Sequence, residues 1–115
     1  MIYVIEDDEI MAECIARACK KEYQIYHNAI DAMDAINDCL PSLIFLDVLL
    51  DGPDGFTFLN ELVSYSDTAS IPIIIVSSLP IKLSHVQDYG VVAVLDKSTM
   101  TPQEIKHYVD QYSSK

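Results

Sequence analysis

Basic residues are scarce in this chain. Seven lysines and arginines stand against 18 aspartates and glutamates, a formal net charge of −11. Binding to nucleic acid needs cationic surface that displaces counterions, so the balance argues strongly against direct nucleic-acid binding. It suits solubility, attraction of divalent cations, or a basic partner. Long apolar runs are missing too. None approaches the ~20 residues of a membrane helix. The start, "MIYVIEDDEI", lacks a positive leader and meets acids at Glu6, which argues against a signal peptide and for a cytoplasmic protein. The cysteines (Cys14, Cys19 and Cys39) are odd in number and lack metal-ligand spacing, so they read as reduced thiols packed as small hydrophobes. There is no EF-hand-like loop, internal repeat, linker or low-complexity segment.

What is present is a globular composition, 50% hydrophobic and 22% charged. The 115 residues suit one domain spanning 1–115, with a real core. Strand-like and helix-like segments alternate. Strands are expected at 2–5, 23–27, 43–47, 71–78 and 91–96. Helices are expected at about 8–22, 29–40, 56–65, 80–90 and 101–112. The first helix shows Met11, Cys14, Ile15, Ala18 and Cys19 at helical spacing, with Asp7 or Asp8 as its cap. The second turns Ile30, Met33, Ile36 and Leu40 inward and stops at Pro41. "DGPDG" is a turn cluster. "PIKLSHVQDYG" suits a short, poorly patterned helix ended by Gly90. "TPQE" offers Thr101 as N-cap, Pro102 at the first helical position and Glu104 closing a capping box. Strands one, three, four and five are apolar on both faces. That pattern needs helices on both sides of a parallel sheet, an α/β fold with right-handed crossovers.

In such sheets, ligands bind at the carboxyl ends of the strands. Glu6 and Asp7 follow strand one, Asp47 ends strand three, Ser77 and Ser78 end strand four, and Asp96 and Lys97 end strand five. Like charges ~4 Å apart cost about 4 kcal/mol at an effective dielectric of 20, so a cluster of Glu6, Asp7 and Asp47 calls for a hard divalent cation. Mg²⁺ fits, taking one or two carboxylates and completing its shell with water or phosphate; Ca²⁺ stays open. Lys97 can pair with Asp47 at rest and with an oxyanion later. Ser77 offers a hydroxyl donor. An acid, a metal, a lysine and a hydroxyl make a phosphoryl-transfer site with a carboxylate nucleophile.

These stretches resemble the receiver domains of bacterial two-component response regulators, of which the chemotaxis response regulator is the simplest. "YVIEDDEIM" is similar to the family's acidic pair after strand one. "PSLIFLDVLLDGPDGFTFL" resembles its phosphoacceptor strand and loop, "IPIIIVSS" its strand ending in a switch hydroxyl, and "VLDKS" its lysine. The resemblance covers essentially the whole chain. It implies a flavodoxin-like doubly wound sheet in the order 2-1-3-4-5. It implies Mg²⁺ held by Glu6, Asp7, Asp47 and the backbone carbonyl of Leu49. It implies a phosphoryl group accepted on Asp47 from a histidine kinase or phosphotransfer protein, and read by Ser77 and Lys97. The readout would shift the face of the fourth helix, fifth strand and fifth helix toward an output domain or downstream partner, and homodimerisation stays open. The protein would be no enzyme beyond its own phosphorylation and dephosphorylation. The departures fall on the output side: Val94 where the family has an aromatic ring, Ser98 where it has proline, Ser78 for a small alanine, and Pro80 in a short stretch before Lys97. The alternative is a pseudo-receiver that docks a partner whatever its phosphorylation. A phosphohydrolase would want a second acid where Leu49 stands.

Overall fold

In the computed structural model, residues 1–48 and 55–113 are described. The chain runs β1 (Ile2–Ile5), α1 (Glu9–Cys19), β2 (Tyr23–Tyr26), α2 (Ala29–Asp38), β3 (Leu43–Leu46), α3 (Gly55–Val63), β4 (Ile73–Ser77), β5 (Val91–Asp96) and α4 (Pro102–Tyr112). The strands form one parallel sheet in the order β2-β1-β3-β4-β5. This is the doubly wound α/β architecture that the alternation of segments predicts.

Period-two geometry makes two cores from one set of strands. Tyr3, Ile5, Ile44, Leu46, Ile73 and Ile75 face one side and pack with α2 and α3. Ile2, Val4, Leu43, Phe45, Ile74 and Val76 face the other, with α1 and α4. Every residue of β1, β3 and β4 is buried, whereas β2 at one edge is half exposed and β5 at the other alternates. Hydrophobic transfer at roughly 25 cal/mol per Å² makes these central strands the main source of stability.

The helix ends follow the local chemistry. Asp8 caps α1, its carboxylate accepting from the amides of Ile10 and Met11 at 3.0 and 3.1 Å. Asn28 caps α2. Thr101 and Glu104 form the capping box of α4, with Pro102 in its first turn. Lys20 ends α1 in the left-handed conformation at φ 59°, so α1 is shorter than the 8–22 expected.

Three expectations are corrected. Between β4 and β5 there is no α-helix: residues 83–85 and 87–89 make two 3₁₀ turns, and Gly90 closes the second at φ 83°. The apolar residues there do not recur at helical spacing, and Val86 is the sole side chain buried. In α2, Ala29, Ala32 and Ile36 face inward while Ile30 and Leu40 are exposed, because small alanines let the helix lie close to the sheet. Of the cysteines only Cys19 is core; Cys14 and Cys39 are exposed. Burial pushes the Cys19 thiol up to about 12. Among the described residues no helix is long and apolar enough to cross a membrane.

Candidate phosphoryl-transfer site

The chain leaves β1 toward β2 on one side and later fills β3 on the other, so a crevice opens above the β1–β3 pair. The parallel ladder runs past both strand ends. The amide of Glu6 donates to the carbonyl of Tyr26 at 2.9 Å, and that of Asp47 to the carbonyl of Ile5 at 3.0 Å. The two acids are therefore fixed by backbone pairing before their side chains do anything. Val48 just beyond is buried, and Gly55 seats against it: a Cβ at Gly55 would lie 2.5 Å from the Val48 Cα. Only glycine allows α3 to start this close to the end of β3.

One oxygen from each of Glu6, Asp7 and Asp47 lies within 4.8 Å of the others. Glu6 and Asp47 are buried, at 1% and 5% exposure; Asp7 is partly buried. Lys97 follows β5, its amide donating to the Ser77 carbonyl at 3.0 Å. Its side chain reaches across β4. The ammonium lies 3.1 Å from Asp47 Oδ2, to which it donates, and 2.6 Å from Glu6 Oε1. The second contact is a close ion pair whose alignment falls short of a hydrogen bond, so Oε1 is a buried oxygen without an aligned hydrogen-bond donor among the described residues. Glu6 Oε2 accepts from the Asp8 amide at 3.3 Å. Burial, with the Asp47 carboxylate nearby, raises Glu6 to about 7 despite the pull of Lys97. Burial pulls Lys97 down, but the two carboxylates outweigh it and hold the ammonium above its usual range.

Three acids against one ammonium leave the cluster short of positive charge. An all-oxygen donor set with one unaligned buried oxygen fits a hard divalent cation. The residues present thus fit the metal implied by the sequence.

Ser77 is buried at the end of β4, beside β3, and its Oγ accepts from the Leu79 amide at 3.0 Å. Its proton remains to donate. Leu49, expected to offer a backbone carbonyl, lies outside the described residues. Ser98 does what a proline there could not: its amide and hydroxyl both donate to Asp96 Oδ1, at 2.8 and 2.7 Å, fixing the loop after Lys97. The sequence puts His27 at the end of the second strand and assigns it no role. Its Nδ1 is 3.0 Å from the Glu6 carbonyl oxygen, so it braces the backbone of one acid. Its place at the end of β2 was the available signal.

The chain belongs to the response regulator receiver domain family, whose model matches residues 2–110. Response regulator PleD of Caulobacter vibrioides is 31% identical over 81 residues, 68% of this chain and 18% of that protein, so the chain spans about a fifth of this relative. The phosphorylated cyanobacterial phytochrome response regulator RcpA superposes with a TM-score of 0.84 at 23% identity, covering 98% of this chain and 93% of the other. The Mn²⁺-bound form of response regulator Rcp1 gives 0.76 at 20% identity, covering 98% and 91%.

Proposed function

We propose that this receiver domain accepts a phosphoryl group on Asp47, with Mg²⁺ held by Glu6, Asp7 and Asp47, as one domain over residues 1–115 of a cytoplasmic two-component system. The observation that carries the reading is the convergence of three carboxylates and one ammonium from β1, β3 and β5 on a single crevice. A carboxylate oxygen of Asp47 attacks phosphorus, the bond from phosphorus to the donor's leaving group breaks, and an acyl phosphate forms. The donor is a histidine kinase or phosphotransfer protein, whose imidazole leaves with the electron pair. Lys97 moves its charge from the Asp47 carboxylate to the phosphoryl oxygens, and Ser77 donates its hydroxyl to one of them. Bound Mg²⁺ supplies neutralisation of the phosphoryl charge. The domain catalyses only its own phosphorylation and dephosphorylation, and signals by contact with an output domain or downstream protein. Relatives of this fold crystallised phosphorylated or with Mn²⁺ support the reading. Incubation with Mg²⁺ and acetyl phosphate should add the mass of one phosphoryl group, and Asp47→Asn should abolish the gain. No gain with any small-molecule or protein donor sinks the proposal.

Two observations favour a second reading, a docking module indifferent to phosphorylation. The β4–β5 connection has no α-helix, and Val94 has no ring to report the state of Ser77. Equal partner affinity for wild type and Asp47→Ala would select it.

A further inference from the structure

Two cavities of 190 and 280 Å³ lie between α2 and α3, away from the acceptor crevice. They share Met33 and Glu61, so they form one groove along the pair of helices. Its apolar surface is unusually open. Ile30 is 59% exposed, Leu40 47% and Tyr65 62%, and all three line it. Its charged residues are all acidic: Asp34, Asp38, Glu61 and Asp67. No lysine or arginine stands anywhere between Lys21 and Lys82, so neither helix can supply a counter-charge of its own.

The acids are also poorly placed for α2 itself. Asp34 and Asp38 are four residues apart, where like charges destabilise a helix. Asp38 is its last residue, at the negative end of the helix dipole, and the last turn holds no basic residue. A cation lying in the groove would relieve both penalties. The exposed patch on α1 is a useful contrast: there Glu9 and Glu13 accompany Arg17, which pairs with Glu13 at 3.7 Å.

We infer that the α2–α3 groove is a docking surface for a cationic amphipathic helix of a partner protein. The occupant's apolar residues, three or four apart, would cover Ile30, Met33 and Leu40, and its lysines or arginines would meet the acidic rim. The 10-residue α2 sets the length, about 10–14 residues for the partner segment. A second copy of this acidic chain would bring like charge to the rim and is disfavoured.

The inference is independent of phosphoryl transfer, and its test needs no phosphorylation. The probe is a fluorescent Leu/Lys peptide of about 14 residues with helical amphipathic spacing. A Leu/Glu peptide of the same pattern and a scrambled Leu/Lys peptide are the controls. Anisotropy is read against the full chain in chelator. Asp34→Asn/Asp38→Asn should weaken binding of the probe at least about tenfold, and Glu9→Gln/Glu13→Gln less than about twofold, with Asp47→Asn like the latter. All four α1 and α2 acids in these variants are exposed, so the fold is retained, as a thermal melt will verify. Two native thiols give a second readout: Cys39 lines the groove and Cys14 lies on α1. The probe should slow alkylation of Cys39 and leave Cys14 unaffected. The inference is overturned by no binding, by equal loss in the two paired variants, or by a loss with Asp47→Asn matching that at α2. It is overturned equally by comparable affinity for either control peptide, by equal protection of both thiols, or by a dimer in sedimentation that Ile30→Ser dissolves.

Discussion

The acid rim and the β4–β5 connection meet at the carboxyl end of β4, from which the connection crosses to the other end of the sheet at Gly90, yet they are built in opposite ways. At the rim, Glu6 and Asp47 are buried charges, each pinned by an amide in an extended ladder and joined by one lysine. In the connection, residues 78–90 hold two short turns, and only Val86 is buried. Burying charge demands that every surrounding atom be placed, because an uncompensated ion in a dry site costs several kcal/mol. An exposed turn demands little of its sequence. The rim therefore constrains the residues that form it, and the connection has room to diverge.

The largest expected difference between the two regions is read with one lysine from each. Lys97→Met strands two buried carboxylates and should cost about 3 kcal/mol in urea unfolding at pH 8 without metal. Lys82→Met removes an exposed charge beside the turns and should stay within about 0.5 kcal/mol. Equal losses would break the contrast.

Next comes the pH dependence of the rim. Glu6 titrates near 7 in the fold and near 4.5 when free. Between those values the folded protein keeps a proton that the unfolded chain has released. The stabilisation is complete below pH 4.5 and is lost as pH rises toward 7, by about 3 kcal/mol at most. In chelator, wild type should lose stability across that window relative to Glu6→Gln. Added Mg²⁺ should restore more stability at pH 8 than at pH 5, since the carboxylate must be ionised to bind. Parallel pH profiles for the two proteins would remove Glu6 from the cluster's energetics.

Two glycines sharpen the comparison further. Gly55→Ala puts a methyl against the backbone of Val48 and should cost about 2–3 kcal/mol. Gly90→Ala has only carbonyl oxygens at 3.4 Å to meet, and its cost is the left-handed backbone at φ 83°, about 1–2 kcal/mol. Chemical denaturation of both variants checks the order; a reversed order would mean that the start of α3 yields easily.

Much of this was legible in the sequence because burial leaves a mark. "LIFLD" is an apolar strand that ends on an acid, and the strand places the acid. The alternation of segments pointed to a parallel sheet covered on both faces, and the strand order came only as what the family resemblance implied. What escaped was decided by tertiary fit. Helical spacing suggested that Ile30 and Leu40 face inward, but Ala29 and Ala32 hold the inner face of α2, a choice set by the distance to the sheet. "PIKLSHVQDYG" carried a helix stop at Gly90 without a helix before it, since one buried valine cannot anchor an amphipathic face. The role of His27 escaped because a place at a strand end puts it near the rim without naming its partner; only coordinates bring its ring to the Glu6 carbonyl.

The smallest expected effect asks whether the two regions communicate at all. Val94 is half-buried on β5, paired with Ile75 and packed on the α2–α3 side of the core. The chain has no tryptophan, so Val94→Trp creates a single tryptophan, excited apart from the seven tyrosines, between rim and connection. At a half-buried position beside exposed turns the larger ring should cost about 1 kcal/mol or less, as a melt will show. Ser77 already holds the Leu79 amide at 3.0 Å, and no α-helix follows before β5 to be displaced. The tryptophan emission should therefore stay unchanged when Asp47 is phosphorylated with acetyl phosphate and Mg²⁺. A shift that disappears in Ser77→Ala would show the opposite: the serine would be pulling on the connection, and the divergent turns would be a working switch in a shorter form.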